Sequence, residues 1–237
     1  MTEQYFEKQT LFNQAVVREQ QEVLLTPPPN LKLNLAYLIL YNRIRKLIVS
    51  CYSKGVEVGQ LTPLLSDCVT ALMDYKAHPK SKNIFFIKEV DEYMDALTLL
   101  TWGVCLPLEQ SLFDQLMASI DNEGQRDALV DLLIAKRQPE REVSTTLYFP
   151  KLYAPLLEAA QNQSPQQMAR FLAQWYKTCL KKTAYHDIHT LHGGDDSGFN
   201  GYWAWEAAGL TYALDLDDSS YRDMAYYPKD LVAYARQ

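Results

Sequence analysis

Glycine is scarce in this chain, at 9 of 237 residues, and strand-type alternation is hard to find, which turns the reading away from sheet structure and toward helix. There is no CxxC pair. The four cysteines (Cys51, Cys68, Cys105, Cys179) are widely spread, as expected of buried thiols in a reducing compartment. The N-terminus, Met-Thr-Glu-Gln-Tyr-Phe-Glu, has no signal-peptide core. No uncharged apolar run approaches the ~20 residues of a membrane span. The densest run, Leu35 to Tyr41, leads straight into Arg43, Arg45 and Lys46. These absences predict a cytoplasmic protein without a membrane segment. Bases are also in deficit: 23 Lys and Arg against 29 Asp and Glu give a net charge of −6. That argues against a nucleic-acid binder, because phosphate contacts need clustered Lys and Arg. HExxH, GxSxG and a glycine-rich phosphate loop are all missing, so no recognised hydrolase or nucleotide site is present, and no cofactor is expected.

What is present is helix after helix. Residues 3–24 and 31–53 carry apolar stripes at helical spacing and are separated by Thr26-Pro-Pro-Pro-Asn30, a stop signal. They are expected to pair as a long hairpin. Thr62-Pro63 reads as a cap followed by proline at the first helical position, and Ser164-Pro165 repeats that signature. Further helices are predicted over 84–104, from Pro107 to the Asp121–Gly124 stop, over about 125–136, over 150–160, over 200–214, and from Pro228 with Asp230 in its first turn. The polar stretch Arg137-Gln-Pro-Glu-Arg-Glu-Val-Ser144 is a candidate junction between helical halves, and 183–199 reads as a loop. The expected fold is all-α, with two consecutive helical subdomains (1–122 and 123–237) packed as an antiparallel helical array.

Charge is unevenly spread. The segment from Tyr185 to Pro228 holds Asp187, Asp195, Asp196, Glu206, Asp215, Asp217, Asp218 and Asp223 against the single base Arg222, a net −7, so the rest of the chain sums to about +1. Loop aspartates serve equally as solvated turn residues or as a partner-facing patch. Glu206 lies in a helix apolar on nearly every side and needs a partner, since burying a lone charge is very costly. Its readings are a buried structural anchor or a general acid or base with a raised pKa. His186, His189 and His192, with Asp187 between them, could in principle ligate a metal, which would make the chain a metal-dependent hydrolase. Their spacing fits no known metal motif, and solvated or capping loop histidines are the simpler reading. Cys179 is the cysteine nearest to them, on the apolar face of an amphipathic helix, where an inert thiol is expected. A helical scaffold without a dedicated partner is a further alternative.

Three elements occur in order in the C-terminal third: Gly201-Tyr-Trp-Ala-Trp-Glu-Ala-Ala, then Leu216-Asp-Asp-Ser219, then Tyr226-Tyr-Pro-Lys-Asp-Leu-Val232. Together they resemble the C-terminal domain of the PoNi immunity family, with Trp205 where that family usually has Phe and Lys229 where it often has an aromatic. The helical first half is similar in layout to the family's N-terminal domain. The resemblance implies a cytoplasmic, non-catalytic antidote. Its partner would be a cognate antibacterial toxin, commonly a DNase delivered by type VI secretion, bound by occlusion of the active or substrate-binding site. An acidic protein suits a nuclease, whose cleft must be basic. On this reading Gly201, Tyr202, Trp203, Glu206, Tyr227, Pro228 and Asp230 serve the fold. Asp195, Asp196, Asp215, Asp217, Asp218 and Asp223 are the expected toxin-facing acids. No metal, direct nucleic-acid contact or membrane contact is expected, and the long N-terminal hairpin offers a face for a homodimer.

Overall fold

The apolar stripes become helices in the computed structural model, which describes residues 1–85, 89–121, 124, 126–193 and 198–237. Every regular element among these residues is helical: α1 (Glu3–Leu25), α2 (Leu33–Lys54), α3 (Leu61–Ala77), α4 (Val90–Cys105), α5 (Gln110–Ile120), α6 (Ala128–Ala135), α7 (Pro150–Gln161), α8 (Pro165–Thr178), α9 (Trp205–Ala213) and α10 (Lys229–Ala235), with short 3₁₀ segments between some of them. None of the described helices is long and apolar enough to cross a membrane. The chain therefore has an all-α fold.

Several boundaries follow from identifiable chemistry. Ser164 caps α8 by accepting from the Gln167 amide at 3.3 Å. Gly55 ends α2 in the left-handed conformation, φ 85°, that glycine takes without a Cβ penalty. Other boundaries differ from expectation. Thr62 lies inside the first turn of α3, because the 3₁₀ turn Val58–Gln60 feeds directly into Leu61. The helix expected over 84–104 starts at Val90, and the one expected from Pro107 starts at Gln110. Part of the predicted 183–199 loop is wound into a 3₁₀ segment, Ile188–Gly193.

Two compact units are present, each assembled from separate stretches of chain. The first comprises residues 1–83, 108–116 and 187–201; the second comprises 84–107, 117–186 and 202–237. In the first unit α2 packs between α1 and α3. Its core includes Ile44, Ile48, Leu65, Val69 and Leu72, all buried. Remote residues close the α1–α2 hairpin. The Tyr5 hydroxyl donates to the Phe199 carbonyl at 2.9 Å, the Asn13 amide reaches Asn200 Oδ1 at 2.7 Å, and the Ser53 hydroxyl donates to the Asn200 carbonyl at 2.6 Å.

In the second unit α4 packs on α6 and α9, and α7 pairs with α8. Gly209 is what lets α9 approach α4: a Cβ there would collide with Thr101 Oγ1 and lie 2.7 Å from Leu133 Cδ2. The Thr101 hydroxyl uses the proximity to donate to the Trp205 carbonyl at 3.2 Å. The polar stretch 137–144 lies wholly inside this unit. Arg141 grips Asp121 at 2.5 and 2.6 Å and Asp131 at 2.6 and 2.8 Å, while Arg137 donates to the Gly103 carbonyl at 3.0 Å.

Candidate functional site

The first and third motif elements meet around α8. Gly201 has φ 127°, a conformation open to glycine, and residues 201–204 lie outside any helix before α9 begins at Trp205. This departs from the continuous helix expected over 200–214. The amide of Ala204 donates to the Tyr226 carbonyl at 2.8 Å, tying the first motif element to the third. Tyr226 stacks on Tyr176, with ring centroids 5.4 Å apart, and lies 5.5 Å from Trp175. Tyr202 meets Tyr176 edge-on at 5.3 Å, and Trp205 meets Trp102 edge-on at 5.4 Å. Offset and edge-to-face pairs of this kind suit the ring quadrupoles.

Glu206 is buried at the start of α9, and its Oε1 accepts from the Trp175 indole at 2.6 Å. Burial pushes its carboxyl up to about 7. Its own backbone amide and the Trp175 indole oppose that rise without cancelling it. Tyr153 and Cys179 feel the same carboxylate, and burial pushes the Cys179 thiol up to about 12. Cys179 donates to the Leu152 carbonyl at 3.5 Å and is a core thiol. Asp127, which sequence reasoning did not single out, organises another buried site. It caps α6 through the Leu129 and Val130 amides and accepts from the Tyr93 hydroxyl and the Tyr148 amide, each of the latter at 2.9 Å.

The acidic residues divide by the geometry of one short extended stretch. Residues 216–218 alternate in burial, with Leu216 inside, Asp217 outside and Asp218 inside. Asp218 therefore stands apart from the exposed acids, contrary to the expectation that it faces a partner. Its carboxylate accepts from the Arg236 guanidinium at 3.0 Å and the buried Tyr227 hydroxyl at 3.1 Å. Asp215, Asp217 and Asp223 are exposed. Asp217 accepts from the Ser219 amide and hydroxyl, which hold its carboxyl below the usual range. Asp223 is held low by Lys229, 2.6 Å away. Asp215 sits in the left-handed region with φ 52°. Pro228 is buried ahead of α10, and Asp230 is exposed in its first turn. Asp195 and Asp196 lie outside the described residues.

His186 and His189 each pack against a different aromatic ring, His186 against Tyr176 at 5.1 Å in the second unit and His189 against Phe199 at 5.8 Å in the first. The side chain of His192 lies outside the described set. Among the described residues no group of three His, Cys, Asp or Glu is placed to hold a metal ion.

Residues 125–231 match the family model described as PoNe immunity proteins (PoNi), C-terminal. The fold is similar to the crystal structure of protein PA2201 from Pseudomonas aeruginosa, with a TM-score of 0.72 and 18% identity, covering 100% of this chain and 89% of that one. At that identity the likeness shows a shared fold. No curated protein matches the chain.

Proposed function

This chain belongs, over residues 125–231, to the PoNe immunity proteins (PoNi), and on that premise we propose that it binds and neutralises a cognate antibacterial toxin. The toxin is a nuclease, most simply a DNase delivered by type VI secretion, and the inhibition is steric: the protein occupies the active or substrate-binding surface and performs no catalysis. The family match is the observation that carries this reading. The charge distribution supports it independently. A nuclease must present Lys and Arg to phosphates, and the second unit exposes Asp215, Asp217 and Asp223 close together in sequence beside a firmly packed aromatic core. An acidic face on a rigid support accelerates encounter with a basic cleft and fixes its register. Asp195 and Asp196 extend the acidic set in sequence. Asp218 does not belong to it, since its carboxylate is spent inside the fold. The working compartment is the cytoplasm, where a nuclease toxin meets DNA.

Co-expression with the toxin encoded beside it tests the proposal. Sensitive cells survive and the two proteins co-purify if the reading is right. Failure to protect, together with the absence of a complex, overturns it. The metal-dependent hydrolase is not favoured, because among the described residues no group of three His, Cys, Asp or Glu is placed to hold a metal ion and His186 and His189 pack against different aromatic rings.

A further inference from the structure

Of the nine large apolar side chains exposed among the described residues, seven lie between Met1 and Ile39. Singly scattered exposed hydrophobes are ordinary, but this concentration on one hairpin calls for a partner. The exposed positions are ordered. Along α2, Lys32, Leu35, Ile39, Asn42 and Lys46 are exposed at alternating spacings of three and four, which makes one stripe. Along α1, Leu11, Ala15, Arg18, Glu22 and Leu25 form a second stripe, with Phe12 beside Leu11. The inward sides are already occupied: Tyr5, Asn13 and Val17 on α1, and Ile44, Ile48 and Cys51 on α2, are buried.

Charge identifies what covers these stripes. No Asp or Glu occurs from Val23 to Val56. The exposed stripe of α2 therefore carries Lys32 and Lys46 and no acid, whereas on α1 the exposed Glu19 and Glu22 outnumber Arg18. Lys54 and Glu7 already pair within the hairpin at 3.5 Å, and Arg43 donates to the Val16 carbonyl. A uniformly acidic protein or an anionic lipid surface complements α2 and is repelled by α1. The hairpin itself has the required pattern, one acidic helix beside one basic helix with apolar residues on both. A two-fold axis parallel to the helices lays α1 of one copy on α2 of the other, and such a contact closes on itself. Its size is also sufficient. Helices of 23 and 22 residues run about 34 Å and are about 10 Å wide, so the paired face is on the order of 700 Å², near the ~800 Å² per partner of a specific interface.

From these features we infer that the exposed face of the α1–α2 hairpin is the interface of a homodimer. The inference does not depend on the immunity reading. Sedimentation equilibrium of the full chain at tens of micromolar is expected to give twice the 27.3 kDa monomer mass. The double variant Leu35→Asp/Ile39→Asp is expected to be monomeric with unchanged helical circular dichroism. A second pair tests the charges. Glu22→Lys and Lys32→Glu, which the two-fold axis brings to similar heights, should each weaken self-association by roughly tenfold or more, and mixing the two should restore a dimer. Three results overturn the inference: a wild-type monomer across that concentration range, a dimer that survives the apolar double variant, or a monomer that instead co-sediments with phosphatidylserine vesicles.

Discussion

Glu206 is the second residue of α9, where unpaired helix amides favour a negative charge, yet burial drives it the other way and lifts its carboxyl to about 7. The consequence for stability has a definite sign. Below the unfolded value, near 4.5, both states hold the proton and Glu206 imposes no ionisation cost. Between there and about 7 the folded state keeps a proton that the unfolded state has released, so stability falls as pH rises through this window. The loss is complete above the folded value and amounts to on the order of 3 kcal/mol. Chemical denaturation at pH 5 and pH 8 measures it. Glu206→Gln, which keeps an acceptor for the Trp175 indole, should flatten that difference, and Trp175 fluorescence should lose its pH dependence near neutrality. Gly209 gives a second prediction at this scale. In an open helix, Gly→Ala gains up to about 1 kcal/mol. Here the added methyl meets Thr101 and Leu133, and overpacking at about 1–3 kcal/mol wins. Thermal melting of Gly209→Ala is expected to show a lowered midpoint.

At the scale of elements, the segment 137–144 is held by charge. Asp131 is fully buried and accepts from Arg126, Arg141 and the Ser144 amide. Asp131→Ala removes an acceptor shared by Arg126, Arg141 and the Ser144 amide, leaves Arg141 its bonds to Asp121, and is expected to cost about 1–3 kcal/mol, read as a shift in denaturant midpoint. This tie also shows what a sequence reveals and what it hides. The amphipathic helices α1, α2, α7 and α8 are legible because one apolar stripe and a local stop or cap determine each. The end of α9 is legible, but its start is not: its surroundings are apolar on every side, and Ala204, ahead of the helix, is tied by its amide to Tyr226, far along the chain. A charged run such as 137–144 reads as a solvated break until Asp121 and Asp131 are seen to receive it. The candidate site divides in the same way. That Glu206 needs a partner follows from its apolar neighbours, but Trp175, 31 residues away, is supplied by tertiary packing. Asp217 and Asp218 are chemically identical neighbours, and only the alternation of an extended stretch against the core sends one outward and the other inward.

For the whole molecule, the acidic face predicts a kinetic signature. Asp215→Asn/Asp217→Asn/Asp223→Asn should slow association with the toxin and reduce its salt dependence, while dissociation changes less. Stopped-flow mixing across a range of ionic strength measures this, and an unchanged rate and slope would move the interface elsewhere. The assembly of each unit from distant stretches has a consequence during synthesis. Tyr5 and Ser53 donate to the Phe199 and Asn200 carbonyls, and Asn13, which also donates to Ser50 within the hairpin, reaches Asn200. Asp218 finds its guanidinium only at Arg236. A ribosome that has made the first hundred residues has therefore completed neither unit, since the first includes residues 187–201 and the second residues 202–237. If the chain is the antidote proposed above, the interval between message and protection includes elongation at least as far as Arg236.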